Sequence, residues 1–277
     1  MALTISTNLA SIAAQKNLSS VQRNTKTVFA QLSSGSRITK AADDAAGLSI
    51  SEGFKSTIRG YTQAQRNAND AISLVQISEG GLGEISNILT RMRELAVQGA
   101  SDTVGEDERG FIDKEVQQLK NEVQRIAQST RFGKTNLLDG TGGEFSFQVG
   151  INNDSFEDRI SFDSGEQEAT VEALNIADFD FTSRDGARSA LEVLDQSQVQ
   201  VNGIRATLGA LQNRLISTTE NLGTAIENFS AANSRVRDVD VADASSELAK
   251  NQVLQQASVG VLAQANVNPQ AALRLIG

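Results

Sequence analysis

The sequence predicts a mostly α fold: a long antiparallel helical bundle or coiled coil, a small β-hairpin segment, and two terminal helices that pair on assembly. Three observations lead there. An apolar seam runs at alternating steps of four and three through Ala190, Leu194, Ser197, Val201, Ile204, Leu208, Leu211, Leu215, Thr218, Leu222, Ala225, Phe229, Ala232, Val236 and Val239, with only Ser197 and Thr218 polar. That rhythm is the signature of one helix lying along another. A second seam of the same period fills residues 61–96. Finally, the chain of 277 residues has one Pro, which leaves long helices uninterrupted.

Residues 1–34 read as an amphipathic helix. Ile5, Leu9 and Ile12 begin a stripe that Leu18, Val21, Val28 and Leu32 continue, and Ser33-Ser34-Gly35-Ser36 breaks it. Residues 36–60 are less regular. They read as a loop leading into helix, with Asp43 and Asp44 as capping residues.

The helix at 61–96 carries Tyr61, Ala64, Ala68, Ala71, Val75, Ser78, Leu82, Ile85, Leu89, Met92 and Ala96 on its seam. Leu74, Ile77, Ile88 and Leu95 form a second stripe, so this helix can touch two neighbours. Gly80, Gly81 and Gly83 weaken its middle, at about 1 kcal/mol each relative to Ala. A third helix is expected from about Asp107 to Ser129, with Ile112, Val116, Leu119, Val123 and Ile126 inward. Short connections between these helices favour an antiparallel bundle.

Residues 140–184 change character. Phe145, Phe147, Val149 and Ile151 alternate with polar residues, Asn152-Asn153-Asp154 is turn chemistry, and Ile160 and Phe162 alternate again. This predicts a β-hairpin, joined by Phe179 and Phe181, around a small satellite core. After Val239 a narrower helical seam follows through Leu254, Ala257, Val261 and Ala265, and Pro269 ends the continuous pattern.

Composition narrows function. There is no Cys, His or Trp. Disulfides, thiolate chemistry, imidazole bases and the usual zinc ligand sets are therefore excluded. No catalytic residue, cofactor or metal is expected. Gly133-Lys134-Thr135 lacks the earlier glycine of a phosphate loop, because position 128 is Gln. Asp238-x-Asp240 lacks the glycine and the glutamate of a calcium loop. Residues 1–42 carry Lys16, Arg23, Lys26, Arg37 and Lys40 with no acid, so the overall charge of −9 is concentrated in an acidic middle. An acidic body argues against nucleic-acid binding. No apolar run is long enough for a membrane span or a secretory signal, so a cytosolic location or export without a cleaved signal is expected.

The terminal seams have no cover in the reading so far. One seam cannot offset backbone ordering at ~1–2 kcal/mol per residue. Residues 1–40 and 240–277 are thus expected to be disordered in the free monomer and helical when copies assemble.

Several stretches resemble one family closely: TNLASIAAQKNL at 7–18, QLSSGSRITKAADDAAGLSIS at 31–51, and NANDAISLVQISEGGLGEISNILTRMRELAVQGA at 67–100. LGALQNRLISTTENL at 208–222 and VLQQASVGVLAQANVNPQAALRLI at 253–276 complete the match. The chain looks like a bacterial flagellin with a reduced middle region; the alternative is a hook–filament junction protein, against which the LAQAN-containing end speaks. The resemblance implies a structural subunit that polymerises into the flagellar filament used for swimming. It implies an extracellular location, reached by unfolded passage through a flagellar type III route. The implied partners are other copies, an export chaperone on the C-terminal segment, the filament cap protein and the hook-junction protein.

The domains implied are 1–42 with 237–277 as a terminal inner-tube segment, 43–140 with 185–236 as a bundle, and 141–184 as its hairpin segment. Ile5, Leu9, Ile12, Leu18, Val21, Leu254, Ala257, Val261 and Ala265 would then hold copy to copy. Leu82, Ile85, Leu89, Leu208, Leu211, Leu215, Leu222 and Phe229 would hold the bundle. Vertebrate Toll-like receptor 5 recognises many members, through a motif similar to TRMRELAVQ at 90–98 and KEVQQLKNEV at 114–123. By that match Arg91, Leu95 and Glu115 would face the receptor or a neighbouring subunit.

Overall fold

The computed structural model describes residues 7–276, with side chains described for 7–267. Five helices and four short strands follow one another: α1 (Leu9–Ser34), α2 (Ala45–Gly99), α3 (Glu106–Ser129), β1 (Arg131–Phe132), β2 (Thr135–Asn136), β3 (Glu144–Gln148), β4 (Arg159–Asp163), α4 (Arg184–Arg237) and α5 (Val241–Ile276). The fold is therefore mostly α with a small β portion. It divides into two compact units, residues 58–227 and residues 1–57 with 228–277.

In the unit of residues 58–227 the two predicted seams form the core. Ala64, Ala68, Ala71, Val75, Ser78, Leu82, Ile85, Leu89, Met92 and Ala96 of α2 are all buried. So are Leu194, Val201, Leu208, Leu215 and Leu222 of α4, while Leu211 packs half-buried against them. On α3, Ile112, Val116 and Val123 are buried, and Leu119 and Ile126 are half-buried. Ile77, expected on an inward stripe, is exposed.

Arg109 closes the α2–α3 turn. Its guanidinium is buried, donating Nε to the Gly99 carbonyl at 2.9 Å and Nη2 to that of Ser101 at 2.8 Å. A cation there meets the negative end of the α2 dipole.

The β3–β4 hairpin is antiparallel, with Phe145 opposite Phe162 and Phe147 opposite Ile160. A second, two-residue hairpin pairs Phe132 with Thr135, and Gly133 supplies its positive φ of 63°. The tripeptide Gly133-Lys134-Thr135 is thus a tight turn. The predicted satellite core does not exist as such: Leu137, Leu138, Ile160, Phe162, Leu174, Ile176 and Phe181 belong to the same buried cluster as the helices.

Phe179 and Phe181 form no strand. Their rings stack 5.6 Å apart in a loop whose backbone is held by helix side chains. Asp113 accepts from the Phe181 N–H, Gln124 from the Val171 N–H, and Ser197 donates to the Leu174 carbonyl. Lys120 donates to the carbonyls of Ala177 and Phe179. Buried backbone groups without sheet partners need such substitutes.

The expected loop leads into α2 at Ala45. Asp44 starts it as N-cap, with Oδ1 accepting from Gly47 N at 2.9 Å. Asp43 instead holds the preceding turn, accepting from Thr39 N, Thr39 Oγ1 and Lys40 N. These bonds keep its carboxyl below the usual range, the Thr39 hydroxyl contributing most. α5 also runs on past position 269, where the apolar pattern stops but the helix does not.

Candidate assembly interface

α1 and α5 are helices of one compact unit, and they lie antiparallel along each other. Bonds fix both ends of the pair. At one end Asn8 Nδ2 donates to the Ala265 carbonyl at 2.8 Å and Ser11 Oγ to Asn266 Oδ1 at 2.9 Å. Asn8 also caps α1, accepting from Ser11 N. At the other end Arg37 N donates to the Arg237 carbonyl and Val239 N to that of Gly35. Asp240 caps α5 by accepting from Ala242 N and Asp243 N, so this carboxylate serves a helix terminus. The clasp is braced by Arg37 Nη2 on the Val236 carbonyl and by Arg237 on Ser51 and Glu52.

The inward stripe of α1 runs Ser11, Ala14, Leu18, Val21, Thr25, Val28 and Leu32, a four-three rhythm with Ala14 and Val28 buried. Leu18 and Val21 fall on it, half-buried within the chain where contacts between copies were expected. Leu9 and Ile12 do not; both are exposed, Leu9 at 71 %. Ile5 lies outside the described residues. On α5 the inward stripe is Ala244, Leu248, Asn251, Gln255, Ser258, Leu262 and Ala265. Of the predicted α5 seam only Ala265 belongs to it, while Leu254, Ala257 and Val261 face outward. The expectation that each terminal seam lacks cover within the chain is corrected here: the two helices cover one stripe of each other.

The stripe α5 gives to α1 is the more polar one, with Asn251, Gln255 and Ser258 at its centre. Its apolar residues remain outside: Val241, Val253, Leu254, Val259, Val261 and Val267. α1 leaves Leu9, Ile12 and Phe29 exposed as well. Within the same unit Phe229 is half-buried, its ring 5.8 Å from that of Phe54.

The second predicted contact site lies on α2 and α3. Arg91 donates Nη2 to Glu115 at 2.9 Å and Nη1 to Glu94 at 3.1 Å, all three exposed. The Glu115 bond, then Glu94, pushes the guanidinium pKa up. Leu95 does not join them. It is only 2 % exposed and sits in the core, because it shares the α2 face of Leu74. An apolar anchor for a partner must therefore be another residue. Nearby, Arg93 binds Asp195 of α4 at 2.6 Å.

Among the described residues no helix is long and apolar enough to cross a membrane, and no group of three or more His, Cys, Asp or Glu side chains is placed to hold a metal.

Comparison with known proteins agrees with this geometry. The model of the bacterial flagellin N-terminal helical region matches residues 5–142, and that of the C-terminal helical region matches 191–276. A flagellin of Halalkalibacterium halodurans is 42% identical over 272 residues, covering 98% of this chain and 99% of the relative. A flagellar filament core protein of Brachyspira hyodysenteriae is 40% identical over 285 residues, covering 98% and 99%. The crystal structure of Bacillus cereus flagellin matches with a TM-score of 0.50 and 33% identity, covering 57% of this chain and 88% of that one. The two sequence relatives are named as a flagellin and a flagellar filament core protein, and they match over nearly the full length of both chains, at the reduced size read from the sequence. The chain belongs to the bacterial flagellin family and is a subunit of the flagellar filament.

Proposed function

We propose that the outward apolar faces of α1 and α5 are what binds one copy to the next, with the terminal unit forming the inner tube and residues 58–227 the outer one. The observation that carries this is the allocation of faces on α5: its polar stripe meets α1, and Val253, Leu254 and Val261 stay exposed. A monomer gains nothing from that arrangement. A helical polymer gains the burial of every such side chain, each contributing about 1.5–3 kcal/mol when fully covered. The filament then works mechanically, as a stiff rod turned to move fluid. Seeded growth tests the reading: monomer added to filament fragments should elongate them, and substitution of the outward α5 residues by polar ones should stop growth.

The remaining partners follow from the same surfaces. The exposed α5 stripe suits an export chaperone that covers it before assembly, and passage through a type III channel suits a chain with no cross-linkable Cys. The cap and hook-junction proteins would meet the ends of the polymer. A hook-junction role for this chain itself is less supported, since the sequence relatives of 40–42% identity that match over nearly their full length are a flagellin and a filament core protein. For Toll-like receptor 5, the exposed Arg91–Glu115 pair is the element a receptor could engage, with Leu95 excluded by its burial. Arg91→Ala monomer tested in receptor-expressing cells should signal more weakly, and unchanged signalling would remove this partner.

A further inference from the structure

Three glycines inside the long helices stand where alanine has room. A Cβ added at Gly80 or Gly83 of α2, or at Gly203 of α4, would meet nothing within 4 Å. Glycine loosens a helix at such a position, because it frees the backbone and adds no packing. The three share one level of the bundle. Glu79 lies 3.8 Å from Arg205, and Gln198 donates to Ser86 Oγ at 2.6 Å, which sets Gly203 beside the helical turn from Gly80 to Gly83.

The bundle changes cross-section at the same level. α3 ends at Ser129, and Thr130 rests on Gly81, where an added Cβ would lie 2.7 Å from Thr130 Oγ1. From Leu82 to Gly99, α2 has α3 on one side, tied by Arg91 and Glu115, and α4 on the other, tied by Arg93 and Asp195. Toward Tyr61 the third helix is gone, and the β3–β4 hairpin replaces it, with Asn67 Nδ2 donating to the Gln148 carbonyl at 2.9 Å. The ties between α2 and α4 also slacken at the glycines. Arg93 meets Asp195 at 2.6 Å, whereas Arg205 stands 3.8 Å from Glu79 and its buried Nε has no hydrogen-bond partner. Leu82, Val201 and Leu208 remain fully buried, so the core runs through the level without a break.

A straight rod spun about its own axis drives no fluid along that axis. A filament turned for swimming is therefore curved. In a curved tube of identical copies, those on the inner side of the bend are shorter than those on the outer side, so the subunit needs a place that yields. Hinges are a few residues that absorb backbone change, and helices bend at glycine more readily than elsewhere. We infer that the turn from Gly80 to Gly83, with Gly203 beside it, is that place: the bundle bends there, copy by copy, and so sets the curvature of the filament. The proposal rests on the mechanical reading above, in which the polymer is turned to move fluid, and gives the needed compliance to named residues.

The full-length chain carrying Gly80→Ala, Gly83→Ala and Gly203→Ala tests it. Its monomer should melt at a higher temperature than wild type, and its filaments should form normally. Imaged in solution by dark-field microscopy, those filaments should lose most of the curvature that wild-type filaments show, and Gly80→Ala alone should give an intermediate shape. Gly110→Ala is the control. Its Cβ would also meet nothing within 4 Å, but it lies near the start of α3, away from the hinge level. It should raise the melting temperature and leave the shape of the filament unchanged. Wild-type curvature in the triple variant would overturn the proposal, and so would straightening by Gly110→Ala, which would make general stability the cause. A triple variant that folds and does not assemble would overturn it too, because the glycines would then make room for a neighbouring copy. Failure of the terminal-helix reading looks different: variants of the α5 outer stripe would elongate normally, whatever the shape of the filaments.

Discussion

The backbone N–H of Val239 donates to the carbonyl of Gly35 at 3.1 Å, tying the end of α1 to the short link before α5. Gly35 takes a left-handed φ of 68° to place that carbonyl. A Cβ there would meet nothing within 4 Å, so any substitution cost is conformational. Gly35→Ala is expected to destabilise the terminal unit by about 1–2 kcal/mol. Chemical denaturation followed by circular dichroism measures it.

Adjacent glycines of α2 should respond in opposite directions. A Cβ at Gly81 would lie 2.7 Å from Thr130 Oγ1 and 2.9 Å from Leu138 Cδ1, while one at Gly80 would meet nothing. Gly81→Ala should therefore destabilise the bundle. Gly80→Ala should stabilise it by about 1 kcal/mol, the helix-propensity gain alone. Thermal melting of the two variants side by side checks both signs.

Lys120 is buried, donates to the carbonyls of Ala177 and Phe179, and lies 4.3 Å from the centre of the Phe179 ring. Burial lowers its pKa, against the opposing pull of Asp113, Asp180 and Asp178. Lys120→Met keeps the volume and strands two carbonyls, so a loss of about 1–3 kcal/mol is expected. Faster hydrogen exchange at Phe181 would accompany it.

Acid should loosen the fold through identifiable carboxylates. Hydrogen bonding from Arg93 lowers the pKa of Asp195, and hydrogen bonding from Arg184 lowers that of Asp102. A carboxylate with a lowered folded pKa contributes stability above its unfolded value and loses it as pH falls through the folded one. The window thus lies below about pH 4. Both pairs are exposed, so each effect is small. Asp195→Asn should flatten the stability profile in that window, matching the wild type at its acid end and falling slightly below it at neutral pH, as read from denaturation midpoints across pH.

The bundle was legible in the sequence because a long apolar seam has one solution. Every predicted α2 seam residue from Ala64 to Ala96 is buried. The terminal region was less legible because α5 is apolar on more than one face. Spacing alone selects the stripe richest in Val and Leu, through Leu254 and Val261, whereas α1 covers the stripe through Asn251 and Gln255. Leu95 misled for a related reason: a family motif orders residues along the chain, but the turn of α2 decides which of them point inward. The loop at 169–182 left only a misleading signal, the alternation of Phe179 and Phe181 that reads as strand. Its order comes from single side chains of distant helices, such as Asp113 and Lys120, which no local pattern announces.

The central claim is that the outward face of α5 joins copies. It is tested most directly by seeding full-length Val253→Ser/Val261→Ser monomer with wild-type filament fragments and measuring filament length by electron microscopy. The account predicts that this variant keeps the helix content of the wild-type monomer and fails to lengthen the seeds. Filaments that grow at the wild-type rate would contradict it.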